Sequence, residues 1–178
     1  EEGEPLIFPD ADYAVEYMED VLLQVHDGDG GEKSVRDHLQ RIFLDEEKVD
    51  ILLAAMVRIE VDEREKLFDQ GDPDTGLFIL DSGSMTALIN TEQDGWKRVK
   101  KFRPGSLIGE MSAYSADRLR TASVVANEHS VLYHLTTEKL AQLDADDLML
   151  SASIHELVAR TLGNRITYMN RRLFLELK

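Results

Sequence analysis

The stretch Phe102–Val125, FRPGSLIGEMSAYSADRLRTASVV, sets out in fixed order the groups needed to hold a small anion. A glycine turn, Pro104–Gly105, closes a β-like segment. Gly109–Glu110 then opens a short helical run from Met111 to Tyr114. Arg120–Thr121–Ala122 follows ten residues after Glu110 and leads into Ser123–Val124–Val125. A helix start presents backbone N–H groups that have no intrahelical partner, at the positive end of the dipole, and such an end holds anions. The glycine before it lets a ligand approach the backbone closely. Arg120 adds a planar, permanently charged fork that matches phosphate oxygens two at a time. Glu110 is repelled by a phosphate and suits sugar hydroxyls instead, as the acidic residue of dinucleotide sites does. A phosphate together with a ribose is a nucleotide.

These groups need a scaffold, and from Ile59 to Leu135 the chain reads as short β segments between turn signals, the pattern of an all-β roll. Strands are expected at Ile59–Glu63, Lys66–Phe68, Gly76–Asp81, Ser84–Asn90, Trp96–Phe102, Ala122–Asn127 and Ser130–Leu135. Asp94–Gly95 is a strong hairpin signal. Two helices precede the roll, Glu32–Leu44 and Asp45–Val57, the second capped by Asp45. Thr136 or Thr137 caps a further helix. Asp146 to about Leu175 reads as one long helix whose apolar stripe runs Ile154, Val158, Leu162, Ile166, Met169, Leu173. Gly163 interrupts it, as a hinge or a close packing contact. The fold class is mainly β with flanking helices. Residues 32–178 form one domain, with helices at 32–57, the roll at 59–135 and C-terminal helices at 136–175. Residues 1–31 are an N-terminal helix, Ala11–His26, and a glycine-rich linker.

The cassette resembles the phosphate-binding cassette of cyclic-nucleotide-binding domains. The upstream run Gln70-Gly71-Asp72-Pro73-Asp74-Thr75-Gly76-Leu77-Phe78-Ile79-Leu80-Asp81-Ser82-Gly83 resembles that family's first-strand pattern. The resemblance covers roughly residues 35–170 and implies a β-roll, or jelly-roll, sensor of cAMP or cGMP. It implies that Glu110 binds the ribose 2′-OH and Arg120 the cyclic phosphate. The amides of Met111, Ser112 and Thr121 complete a cradle bounded by Gly109 and Ala122. The long helix would act as a lid over the base and as a homodimer contact. The Thr121 hydroxyl could bond the amino group of a guanine, which keeps cGMP open beside cAMP, the bacterial default. Three positions depart from the family: Ser112 stands where alanine is usual, Leu119 where a turn residue is usual, and Arg118 adds a second cation. Loss of the Arg120 side chain is expected to weaken binding and leave the fold intact. A weaker resemblance, Leu6–Pro9 through Glu19–Leu23, is to the last strand and helix of STAS domains. It implies a cytoplasmic module attached to a sulfate-permease-type anion transporter.

Composition narrows the partners. With 35 acidic against 20 basic residues the net charge is −15, which speaks against nucleic acid or an anionic membrane surface as partner. Contact with a membrane is expected only through an attached transporter. There are no cysteines, hence no disulfide, zinc thiolate or thiol nucleophile. No apolar run approaches the roughly 20 residues of a membrane span, and no signal peptide opens the chain. A first residue that is not methionine suggests an excised piece. The glycine-rich loop from Asp27 lacks the calcium-binding glutamate at its twelfth position, which is His38. A cupin-like metalloenzyme on the same kind of roll needs an H-x-H pair, and His26, His38, His129, His134 and His155 do not supply one. The expectation is a regulatory module with no enzymatic activity, metal or cofactor. The alternatives are a binding-dead roll used for dimerisation or autoinhibition and, behind it, the cupin-like metalloenzyme.

Overall fold

The computed structural model describes residues 34–43, 45–91 and 95–176, without the side chains of residues 41, 168, 169 and 171–176. In chain order the elements are α1 (Val35–Phe43), α2 (Glu46–Ala55), β1 (Val57–Val61), β2 (Lys66–Phe68), β3 (Gly76–Ser82), β4 (Met85–Thr91), β5 (Gly95–Phe102) and β6 (Leu107–Ile108). There follow α3 (Glu110–Ala113), β7 (Ser123–Ala126), β8 (Ser130–Thr136), α4 (Thr137–Asp146) and α5 (Leu148–Glu176). All lie in the compact unit Lys33–Lys178. The STAS resemblance, the helix expected at Ala11–His26 and the glycine-rich linker lie outside the described residues.

The strands form two four-stranded antiparallel sheets, β1-β8-β3-β6 and β2-β7-β4-β5, packed as a jelly roll. Strand β3 shows why. Its run Gly76–Leu80 is buried on both faces, and successive side chains point opposite ways. Phe78 and Leu80 face the second sheet, joining Met85, Phe102, Ile108, Val124 and Leu132 in the inter-sheet core. Leu77 and Ile79 face outward against Leu39 of α1, Leu52 of α2, Leu143 of α4 and Ile154 and Val158 of α5. The helices therefore cover the outer face of one sheet. Burial of this kind contributes on the order of 25 cal/mol per Å² of apolar surface.

Helix ends follow local chemistry. Asp45 caps α2 by accepting from Glu47 N and Lys48 N. Thr136 caps α4 by accepting from Lys139 N at 3.2 Å. Asp147 ends α4 and accepts from Leu150 N at 3.0 Å, so α5 begins at Leu148 rather than at Asp146. Strand β1 starts two residues before the expected Ile59, because pairing with β8 runs from Val57↔His134 to Val61↔Ser130. A turn in which Glu65 N donates to Asp62 O then stops it. The two-residue β6 was not expected; Leu107 and Ile108 pair with Ile79 and Phe78. Trp96 lies on the edge strand β5, half exposed, with Lys66 Nζ 5.8 Å from its ring.

The apolar stripe of α5 does not behave as one continuous seam. Leu150, Ile154 and Val158 are buried and Leu162 packs against the core partly, whereas Ile166 is 60% exposed. Gly163 marks the change. A Cβ there would meet nothing within 4 Å, so close packing does not account for it. Among the described residues no helix is long and apolar enough to cross a membrane.

Candidate functional site

Two distant segments are zipped together to make the site. Arg120 N donates to Asp72 O at 2.8 Å, Gly71 N to Arg120 O at 2.8 Å, and Asp74 N to Arg118 O at 2.9 Å. Pro73 and Leu119 pair between them as an isolated bridge. The loop between β2 and β3 is thus laid antiparallel against the end of the cassette, which is why both sequence patterns occur in one chain. The pairing holds Arg118 at φ +52° and feeds Arg120 inward.

Arg120 is buried, its side chain 1% exposed. Its Nη1 donates to Ser112 Oγ at 2.7 Å and to Gly109 O at 3.1 Å. Its Nη2 donates to Thr75 Oγ1 and to Gly76 O, both at 3.0 Å. Nη1 also lies 3.1 Å from Asp74 Oδ1, and the Asp74 side chain is 1% exposed. The guanidinium sits 4.3 Å from the ring of Phe68 and 5.5 Å from that of Phe78, a favourable cation–π setting. Burial lowers its proton affinity from the ordinary arginine value, and the charges of Asp74, Asp72 and Glu110 push it back. Arg120 Nε finds no hydrogen-bond partner among the described residues.

Glycine is required at two points. Gly109, the N-cap of α3, adopts φ +89°, and a Cβ on it would lie 2.5 Å from Arg120 Nη1. Gly76 adopts φ +126°, and a Cβ would lie 2.1 Å from Leu135 O. Without side chains, both offer carbonyls directly to the Arg120 fork.

The structure brings Gly109, Glu110, Ser112 and Arg120 together. Glu110 and Ser112 are each 1% exposed. Met111 is 46% exposed, and Thr121, on the exposed rim beside it, places Oγ1 3.8 Å from Met111 Sδ. Ala122 packs against the inter-sheet core. Ser112 does more than replace a methyl group: its Oγ accepts from Arg120 and donates to Gly109 O at 2.9 Å. Arg118, its side chain 56% exposed, is tied through Nη2 to Asp74 Oδ2 at 2.9 Å.

Asp74, Thr75 and Arg165 were missed as site residues. Asp74 stands inside the quoted glycine pattern, but nothing in periodicity places a loop carboxylate against a guanidinium 46 residues later. Arg165 of α5 donates from Nη1 to Glu110 Oε1; a single arginine in a long helix carries no signal for this. The open fork expected at Arg120 is therefore engaged by the chain's own acceptors, and the carboxylate expected to await sugar hydroxyls is covered by an arginine. His129 binds Asp62 Oδ1 at 2.9 Å. His134 stacks on Phe78 with centroids 4.1 Å apart and holds Thr75 O at 2.9 Å. The two histidines therefore serve separate contacts.

The jelly roll thus gathers a buried guanidinium and a buried carboxylate at the start of α3. The chain belongs to the cyclic nucleotide-binding domain family, whose model matches residues 58–147, half of its length. Among solved structures it is similar to a cyclic nucleotide-binding domain from Methylobacillus flagellatus, at 24% identity over 74% of each chain, with a TM-score of 0.69. It is similar to the catabolite activator protein of Thermus thermophilus at 27% identity, with a TM-score of 0.62, covering 74% of this chain and 61% of that one. A third likeness is to the c-di-GMP-responsive global regulator CLP of Xanthomonas campestris, at 24% identity and TM-score 0.64, over 71% of this chain and 62% of that one. The chain spans less than two thirds of both regulators, and the likenesses at 24% carry the fold alone. No curated protein matches it. The family match does not reach the segment that resembles a STAS domain.

Proposed function

We propose that this domain is a regulatory sensor of a cyclic nucleotide, cAMP or cGMP. The cyclic phosphate would sit on Arg120 and the amides of Met111, Ser112 and Thr121, and the ribose hydroxyl on Glu110. The observation that supports this most is the burial of Arg120 and Glu110 on either side of Gly109. Two opposite charges held out of water at one glycine cost stability unless partners or a ligand meet them. Thr121 lies on the rim, where its hydroxyl can discriminate the base. The transporter that the STAS resemblance implies gains no support from the family match and forms no part of the proposal.

The test is calorimetric titration of cAMP, cGMP and c-di-GMP into the wild type and an Arg120→Lys variant. The variant keeps the charge and loses the two-pronged geometry. The wild type is expected to bind cAMP or cGMP, and the lysine variant to bind roughly 10-fold or more weakly. No heat and no melting shift with any nucleotide at about millimolar concentration, where 1 mM affinity corresponds to only about 4 kcal/mol, would sink the reading. A second reading, the binding-dead roll, is favoured by one observation: Asp74 and Arg165 already occupy the two charged ends of the cassette. The same titration decides between them.

A further inference from the structure

Of the four residues of α3, Met111 alone is exposed, while Glu110 and Ser112 on either side of it are buried. The Met111 side chain reaches Thr121, whose hydroxyl donates to Sδ at 3.8 Å. A thioether is a weak acceptor, so this bond holds the Thr121 hydroxyl only loosely. The chain has six methionines and no cysteine, so its sulfur chemistry falls to methionine. Met56 and Met85 are buried, whereas Met111 and Met149 are open to solvent. Met149 lies on a different helix, as the second residue of α5. Met111 is thus an accessible thioether in contact with the rim residue expected to read the base.

We propose that Met111 is an oxidation site for hydrogen peroxide, and that its sulfoxide tunes which base the cassette prefers. The inference rests on the reading that a cyclic nucleotide binds here with its base beside Thr121. A lone pair of Sδ attacks one peroxide oxygen. The S–O bond forms as the O–O bond breaks, and the second oxygen leaves as water, taking the proton of the transferred one. Sulfur loses two electrons and the peroxide gains them. The step exchanges a weak acceptor for a polar S=O oxygen on the same flexible side chain. The Thr121 hydroxyl has one proton to donate. Donating it to a stronger acceptor orients the hydroxyl and makes its oxygen a better acceptor in turn. That oxygen is the atom available to the 2-amino group of guanine, and adenine carries no amino group at that carbon. Oxidation therefore favours cGMP over cAMP. Glu110, Ser112 and Arg120 are buried, so the change falls on the rim and leaves the charged seat as it is.

The experiment treats the full chain with hydrogen peroxide, locates sulfoxides by peptide mass spectrometry, and titrates cAMP and cGMP before and after treatment. It is run on the wild type, Met111→Leu, Met149→Leu and Thr121→Val, each compared only with itself. Met111 and Met149 are expected to oxidise ahead of Met56 and Met85. In the wild type and in Met149→Leu, oxidation is expected to raise the ratio of cGMP to cAMP affinity about 3- to 10-fold, the worth of one hydrogen bond. Methionine sulfoxide reductases are expected to restore the starting ratio. In Met111→Leu and Thr121→Val the ratio is expected to be the same before and after peroxide. Three results would overturn the proposal alone and leave the sensor reading standing. They are a Met111 that resists peroxide while Met149 reacts, an unchanged ratio in the oxidised wild type, and a shift that survives in Met111→Leu or Thr121→Val. Binding of neither nucleotide by the reduced or the oxidised protein would overturn the sensor reading, and the proposal with it.

Discussion

Two arginines meet the cassette, and they are held in opposite ways. Arg120 is enclosed by Gly76, Gly109, Thr75, Ser112 and Asp74, and both terminal nitrogens are engaged. Arg165 reaches Glu110 through one nitrogen and leaves two buried donors without partners among the described residues. The first belongs to the scaffold as much as to the site, because its partners come from the β2–β3 loop, from β3 and from the start of α3. The second belongs to a helix that has already left the core. A buried charge with both terminal nitrogens engaged, as at Arg120 where Nε alone lacks a partner among the described residues, is costly to disturb, whereas one held through a single nitrogen has more to gain by moving. The cassette therefore has a fixed end at Arg120 and, at Arg165, an end expected to be the more movable one.

The largest expected effect separates these ends. Arg120→Ala leaves the buried Asp74 carboxylate with Arg118 as its remaining cation beside the donors Gly76 N and Ser112 Oγ, and removing one partner of a buried pair typically costs about 3–5 kcal/mol. The structure thus adds a stability cost to the loss of binding expected from the sequence. Arg165→Ala leaves the buried Glu110 carboxylate without its cation, but Arg165 itself is 21% exposed, so the cost in stability is expected to be smaller, about 1–3 kcal/mol. Urea unfolding of the two variants measures both. Equal losses would mean that the two arginines are structurally equivalent and would break the comparison.

An intermediate effect probes the fixed end through the backbone. Gly109→Ala asks an L-residue to hold φ +89° and sets a Cβ 2.5 Å from Arg120 Nη1. Strained backbone of this kind costs about 1–3 kcal/mol. The variant is also expected to shift Arg120 and so to weaken nucleotide binding, whereas Gly163→Ala, in open space in a helix, should stabilise by up to about 1 kcal/mol. Thermal melting of the pair sharpens the contrast between a glycine that the site requires and one that it does not. A destabilised Gly163→Ala would show instead that the movable end relies on that glycine.

The difference between the two ends also explains what was legible in the sequence. The roll could be read because its signals are local: a doubly buried run at Gly76–Leu80, glycine turns, and Asp45 and Thr136 as caps. The fixed end could be read in part, because Gly109, Glu110, Ser112 and Arg120 stand close together in the chain. Asp74 escaped, although its segment was noticed, since pairing across the loop depends on the bridge between Pro73 and Leu119. The two-residue β6 is too short for any periodicity to reveal. The movable end was illegible for a different reason. Helical spacing forecast an apolar stripe running to Leu173, and spacing alone does not tell where a helix leaves the body. Nor does it tell that a charged residue near that point turns back to the cassette.

The smallest expected effect tests whether the fixed end is sensitive to pH. His134 lies against Phe78 and holds Thr75 O, on the residue whose hydroxyl accepts from Arg120. Burial lowers its proton affinity below the ordinary histidine value, the Thr75 carbonyl opposes this, and the charge of Arg120 adds to the lowering. As pH falls, the unfolded chain therefore takes up this proton before the folded chain does. The contribution is fully present above the ordinary histidine value of 6.5 and is lost as pH falls from there through the lower folded value. Stability measured by urea unfolding should decline between about pH 7 and 5.5, and His134→Gln should flatten that decline. Amide exchange over the same range should show loosening at Thr75 and Gly76 before the end of α5, whose contact with the cassette pairs Arg165 with Glu110 and no histidine. A decline of the same slope in His134→Gln would show that His134 is not the group responsible. Loosening that began at α5 would place the pH-sensitive element at the movable end, against the division drawn between the two arginines.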